Sequence, residues 1–435
     1  MGSSALRLRV IGQRPRAVHG WLIIIIEEVK MRILDDVSVT DVQGFKAAGI
    51  AAGVKKSGKK DMMLLYSEVE AVSAAAFTTN RVKAAPILVN MENINNAVTR
   101  AIVVCSGNAN ACTGEQGLAD AKAMTERVAE KLGLDSKEVL VQSTGVIGVN
   151  LPMDKIIPGI DNLVENLTDD GGVDAAVAIM TTDLIKKEFG VEVEIGGKLI
   201  KIIGMAKGSG MIHPNMATML SFVVTDANIE KELLQKAFKE IVNDSYNMIS
   251  VDGDTSTNDM ACVIANGLAG NKKISEENED YNKFKMALQE VNEALAKKIA
   301  EDGEGATKFL EVEVLGAKSK EDARLISKSV ITSNLTKCAF FGADANWGRI
   351  LCAMGYSGGF FEVDKVKIEL QAKGMNLVVA EAGRGIGFDE EYAKQLLLHK
   401  FLKVVITLED GNFTAKAWGC DLSYDYVKIN GDYRS

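Results

Sequence analysis

The stretch KGSGMIHPNMATMLSFVV, residues 207–224, joins two unlike kinds of chain. Its first half holds Gly208, Gly210 and Pro214, residues of turns; from Met219 onward it becomes an apolar run that reads as a strand buried on both faces. Proline is scarce, five in 435 residues, and this one stands beside His213, one of three histidines. Between the halves lies the pair Ala217-Thr218. A threonine at a chain N-terminus can use its own α-amino group as a base. With an α-amino pKa of about 7.7–8.0 against about 10.4 for lysine, roughly a tenth of such amines are neutral at pH 7. Cutting the Ala217–Thr218 bond would turn Thr218 into that kind of nucleophile. Taken alone, the segment reads first as a threonine opening a buried strand.

The chain is 47% hydrophobic and 25% charged, with room for a large core and length for two or three domains. A net charge of -9 gives no electrostatic footprint for nucleic acid. Six cysteines, scattered with no CxxC pair, argue against structural zinc and for reduced thiols that pack as small hydrophobes in a cytoplasmic setting. Residues 1–30 differ from the rest. They carry arginines and no acid before Glu27, and their apolar run Trp21–Ile26 is too short to span a bilayer. They read as an atypical N-terminal extension, and no membrane role is expected.

Along the chain, MMLLYSEVEAVSAAAFTTN, AIVVCSGNANACTG and VLVQSTGVIGVN read as strands breaking into Gly/Asn/Ser turns. EQGLADAKAMTERVAEKLGL, MDKIIPGIDNLVENL, IEKELLQKAFKEIVNDSY and NEDYNKFKMALQEVNEALAKKIAEDG carry apolar residues at helical spacing. ACVIANGLAG reads as a buried strand, and Asp410-Gly411 predicts a hairpin between the two last β-runs. Runs of strands mixed with runs of helices favour an α+β fold, sheets sandwiched by helices.

Several motifs fail on spacing. GMAKGSG is no P-loop and GRGIGF is no dinucleotide fingerprint. SVDGDTSTND sets Asp252, Asp254, Ser256 and Asn258 at alternate positions, but Thr257 stands where a calcium loop needs glycine and no Glu follows at the twelfth position. His19, His213 and His399 offer little for a Ser-His-Asp hydrolase. Chemistry that needs neither histidine, metal nor cofactor is favoured.

KGSGMIHPNMATML resembles the self-cleavage segment of the ornithine acetyltransferase (glutamate N-acetyltransferase) family of arginine biosynthesis. GFKAAGIAAGVK, FTTNRVKAAP, SGNANACTG, STGVIG, MTTD, DGDTSTND, GADANWGRI and the terminal YVKINGDYRS resemble family segments in the same order, from about residue 38 to residue 435. The resemblance implies a self-cleaving fold of the N-terminal-nucleophile type. Cleavage between Ala217 and Thr218 would yield an α-chain, 31–217, and a β-chain, 218–435, assembled as α2β2. Thr218 would be the nucleophile, with Thr144 and Gly145 as oxyanion donors. Thr181, Lys207, Thr218, Glu304, Asn430 and Ser435 would bind substrate, Lys207 facing a carboxylate and Glu304 an ammonium; Ser435 stands where the family commonly has threonine. The implied reaction moves the acetyl group of N2-acetyl-L-ornithine to L-glutamate by way of an acetyl-enzyme, with acetyl-CoA as a further donor in some members. Two other readings stay open: an N-terminal-nucleophile aminopeptidase or amidase, which would release acetate without glutamate, and a non-catalytic binding protein on the same scaffold.

Overall fold

The structure is a computed structural model that describes residues 23–26, 29–213 and 219–432. Its centre is the apolar run of the opening stretch. Leu220–Thr225 is a strand with every residue buried, paired antiparallel to Lys198–Lys207 and parallel to Met260–Ala265. Period-two alternation sends Leu220, Phe222 and Val224 to one core and Val223 to another, with Ser221 hydrogen-bonded to Tyr246 Oη at 2.7 Å. A run buried on both sides is what a sheet covered on both faces requires. Each large side chain fully buried there, such as Phe222, contributes about 1.5–3 kcal/mol of hydrophobic stabilisation.

This strand lies within a seven-stranded sheet ordered Ile23–Ile26, Val29–Leu34, Lys187–Ile195, Lys198–Lys207, Leu220–Thr225, Met260–Ala265 and Val72–Phe77. Part of the N-terminal segment thus pairs at the sheet edge. A four-stranded sheet, Phe45–Ile50, Met62–Ser67, Ala101–Asn108 and Val139–Val146, packs face to face on it. Met63, Leu65, Ile102 and Val104 of the smaller sheet meet Ile203, Leu220, Phe222 and Cys262 of the larger. Helices cover both outer faces. Ala85–Asn93, Gly114–Leu132 and Met153–Glu165 lie on the small sheet; Lys231–Asp244 and Glu279–Glu301 lie on the large one. The second of these, Gly114–Leu132, ends where Gly133 takes φ 67°, the left-handed cap glycine tolerates best. The α+β sandwich of sheets between helices is the expected architecture, and local strand-helix-strand units supply its parallel pairs.

A second seven-stranded sheet completes the fold, and it corrects one expectation. Phe401–Thr407 and Phe413–Cys420 flank the Asp410-Gly411 turn but do not pair with each other. Phe309–Ala317 runs between them, parallel to the first and antiparallel to the second. The turn is real: the amides of Asp410 and Gly411 both donate to Gly316 O, at 3.0 and 2.9 Å. It wraps over the end of the third strand, so local turn chemistry was legible and the pairing partner was not. The six cysteines are free, but only Cys105, Cys262 and Cys420 are buried; Cys112, Cys338 and Cys352 are exposed, contrary to their expected packing. Among the described residues, no helix is long and apolar enough to cross a membrane.

Candidate active site

Strand register decides where the site forms. Leu220 stands opposite Lys207 on one side and Met260 on the other, so Gly208 and Met219, which flank these paired strand ends, lie at the same end of the sheet. Helix Glu279–Glu301 reaches that edge from outside. Asn278 caps its start, accepting from Tyr281 N at 3.1 Å, and the helix runs along Lys187–Ile195 and Lys198–Lys207. Its far end delivers Asp302 and Glu304 beside Ser209, where Glu304 N donates to Ser209 O at 2.9 Å and Ser209 Oγ to Asp302 O at 2.6 Å.

A cavity of about 140 Å³ opens at this point. Thr144, Gly145, Thr181, Lys207, Glu304 and Asn430 all line it, as do Met219 and Leu220, the residues that directly follow Thr218 in the chain. These candidates come from separate motifs along the chain and meet only in the fold. Ala217, Thr218 and Ser435 lie outside the described residues.

Two glycines let the site close up. A Cβ on Gly210 would stand 2.3 Å from Glu304 Cδ, so glycine there is the space the carboxylate occupies. Gly305 has φ 69°, and a Cβ on it would meet Tyr426 N at 2.5 Å. Its absence lets helix Tyr424–Asp432 dock, with Ser423 Oγ donating to Gly305 O at 2.6 Å. Docking brings Asn430 Nδ2 within 2.8 Å of Glu304 Oε2. Gly210→Ala is therefore expected to keep the fold, because only the mobile end of Glu304 must yield, while moving that carboxylate. Losing one charged hydrogen bond, about 1.5–3 kcal/mol, would raise KM for a cationic substrate roughly 10–100-fold, read by steady-state kinetics beside an unchanged melting curve.

On the opposite wall, strand Val139–Val146 runs parallel to Ala101–Asn108 and shifts register at Asn108, which opposes both Thr144 and Val146. Gly145 there adopts φ 134°, and a Cβ would lie 2.4 Å from Gly107 C, so only glycine fits. Lys207 Nζ reaches Thr144 Oγ1 at 3.5 Å, linking the two walls.

Residues 46–435 match the model of the ArgJ family. The chain belongs to the ArgJ family. Similar relatives include the arginine biosynthesis bifunctional protein ArgJ of Caldanaerobacter subterraneus subsp. tengcongensis, 55% identical over 405 residues, 93% of this chain and 100% of that one. The protein of the same name from Bacillus subtilis is 47% identical over 410 residues, 94% and 99% of the two chains. The crystal structure of the Bacillus halodurans ArgJ protein is 49% identical and covers 50% of this chain and 100% of its own, at a TM-score of 0.47.

Behind the cavity of this ArgJ-family chain lies a buried charge cluster; its Asp183 ends the MTTD motif, but the sequence reading gave that residue no role. Lys187 Nζ donates to Asp183 Oδ1 and to Asp302 Oδ2, both at 2.6 Å. Asp183 Oδ1 also accepts from Gly208 N at 2.6 Å, and its Oδ2 from Thr181 N at 3.0 Å. Burial works against an ionised Asp183, yet Lys207, Lys187 and the Gly208 amide outweigh it and hold its pKa at about 2. Burial pushes the Lys207 ammonium below the usual lysine range, with Asp183 opposing the shift.

The segment after the cavity is held by DGDTSTND. Asp252 accepts from Met211 N at 2.6 Å and Ile212 N at 2.9 Å, and Val251 N donates to Ile212 O at 2.6 Å. Asp252 thus acts on backbone amides. Burial, with Lys328 nearby, lowers the His213 pKa to about 4, and its Nδ1 lies 3.2 Å from Ser250 Oγ. That histidine is neutral at pH 7, able to hydrogen-bond but not to carry charge. Asn258 and Asp259 of the same motif also line the cavity.

Proposed function

We propose that this chain is an arginine-biosynthetic acetyltransferase that moves the acetyl group of N2-acetyl-L-ornithine to L-glutamate. The supporting observation is that one small cavity holds a buried cation, Lys207, and a carboxylate, Glu304, at the edge where the strand following Thr218 begins. Acetylornithine carries an α-carboxylate and a side-chain ammonium, which match that pair. Membership of the ArgJ family and relatives named for arginine biosynthesis support the same assignment.

In this scheme the chain cuts itself before Thr218: the threonine hydroxyl attacks the Ala217 carbonyl, the peptide nitrogen leaves as the new α-amine, and water hydrolyses the ester. The α-amine of Thr218 then takes the hydroxyl proton as Oγ attacks the acetyl carbonyl. Thr144 and Gly145 donate to the oxyanion. Collapse breaks the amide bond, the proton passes to the departing nitrogen, and ornithine leaves an acetyl ester on Thr218. The neutral α-amine of glutamate attacks that ester, and N-acetylglutamate departs as Thr218 regains its proton. Thr181, Asn430 and Ser435 complete the substrate contacts. The scheme uses no metal and no resident cofactor, and acetyl-CoA can enter it as an alternative acetyl donor. An α2β2 assembly working in the cytoplasm belongs to the same reading.

Denaturing electrophoresis of active protein is expected to show two fragments of nearly equal size. With acetylornithine alone, one acetyl group per site should be trapped; adding glutamate should release N-acetylglutamate and ornithine in equal amounts. A single uncut band from active protein, or acetate released at a rate independent of glutamate, would sink the scheme, the second result favouring the amidase.

A further inference from the structure

The cluster behind the cavity is an odd use of charge. Asp183 and Lys187 have fully buried side chains and Asp302 is 5% exposed. Desolvating such ions costs more than their attraction commonly returns, so a buried ion cluster is weak evidence for a stabilising role. Its stoichiometry is also unbalanced: two carboxylates share one ammonium, which leaves one negative charge uncompensated inside the cluster. The cation placed to balance it is Lys207. Asp183 accepts the amide of Gly208, the next residue in the chain, and so lies directly behind it.

The other charges facing Lys207 do not supply this balance. Lys187 and Lys55 repel it. Glu304 and Asp259 attract it but stand in the cavity wall, where Glu304 is needed for a substrate ammonium. Asp183 does not line the cavity and no substrate can engage it. Of the charges acting on Lys207, that of Asp183 is the strongest.

We infer that Asp183 is a positioning residue: through the Gly208 amide and its own charge it holds Lys207 in place and protonated, so that a buried lysine can bind the substrate carboxylate at neutral and mildly alkaline pH. This rests on the assignment of Lys207 to that carboxylate. The sign follows from Lys207. Removing the Asp183 charge lowers the pKa of the lysine further, so the cationic form is lost at lower pH and the alkaline limb of kcat/KM for acetylornithine moves toward neutrality.

The test is Asp183→Asn, assayed from pH 6 to 9.5. The expected result is an alkaline limb lower by about one pH unit or more, giving a roughly tenfold rise in KM at pH 8.5 with kcat within about threefold, and near-normal values at pH 6. Placed on a Lys207→Arg background, whose guanidinium does not titrate in this range, the same substitution should no longer move the limb. An unmoved limb, or an equal shift with arginine present, would overturn the inference. A second measurement needs no activity. Acylation of Lys207 by an amine-reactive probe, followed by mass spectrometry across pH, should have a lower midpoint in Asp183→Asn than in the wild-type protein; an equal midpoint overturns the inference. If wild-type protein transfers no acetyl group, the proposed function fails, while the labelling midpoint still decides the role of Asp183.

Discussion

Thr218→Ala is expected to give a single uncut chain whose acetyl transfer is reduced at least about 10⁴-fold, because one side chain serves two reactions. In the proposed scheme the hydroxyl that opens the Ala217–Thr218 bond is also the one that accepts the acetyl group. Without it the α-amine is never freed, so the base disappears together with the nucleophile. What remains is a cavity able to bind substrate, so acetylornithine should still bind to the variant in calorimetry. A variant cut at the normal place, or turning over above a hundredth of the wild-type rate, would remove Thr218 from the mechanism and revive the reading of a threonine that merely opens a strand. Gel electrophoresis and a product assay on one preparation decide it.

Thr144→Val carries the second large effect. Valine keeps the shape of threonine and removes the hydroxyl, so the shift in strand register at Asn108 and the left-handed turn at Gly145 should persist. An oxyanion donor acts when charge develops on the acetyl oxygen, and losing one costs about 2.7–4 kcal/mol, or roughly 10²–10³ in kcat. KM for acetylornithine should change by no more than about threefold, since the ground-state carbonyl draws little on that donor. Lys207 loses a 3.5 Å contact to Thr144 Oγ1, a long hydrogen bond whose loss costs little beside the catalytic term. A fall in kcat of less than about fivefold would show that Thr144 does not meet the oxyanion.

Much of the site was legible before the fold. The change of character between Lys207 and Val224 marked both a turn-rich segment and a strand buried on both faces, and Leu220–Thr225 is that strand. The helices read at 3.6-residue spacing are present, including Gly114–Leu132 with its terminal glycine and the long Glu279–Glu301. Thr144, Gly145, Thr181, Lys207, Glu304 and Asn430 were singled out from separate motifs by resemblance, and they line one cavity.

What escaped was pairing at long range. The Asp410-Gly411 signal was correct as a turn and wrong as a hairpin, because Phe309–Ala317, far earlier in the chain, takes the place between the two strands. Asp183 and Lys187 have the four-residue spacing of a helical ion pair, yet Lys187 opens a strand, and its second partner, Asp302, is 115 residues away. Gly210 looked like any loop glycine; its reason is the Glu304 carboxylate that fills the space of its missing Cβ.

The sequence by itself determined the local conformations and the residue types on offer: a buried strand preceded by turns, amphipathic helices, and a threonine just ahead of that strand. Periodicity, turn residues and side-chain type are properties of neighbouring residues, and neighbours are what a sequence displays. The tertiary structure alone decided which charges face each other, namely Lys207 with Glu304 across a cavity and Lys207 before a cluster with one negative charge to spare. Those contacts depend on strand register and on where a helix ends, and both are settled by burying the two cores that the sheets share.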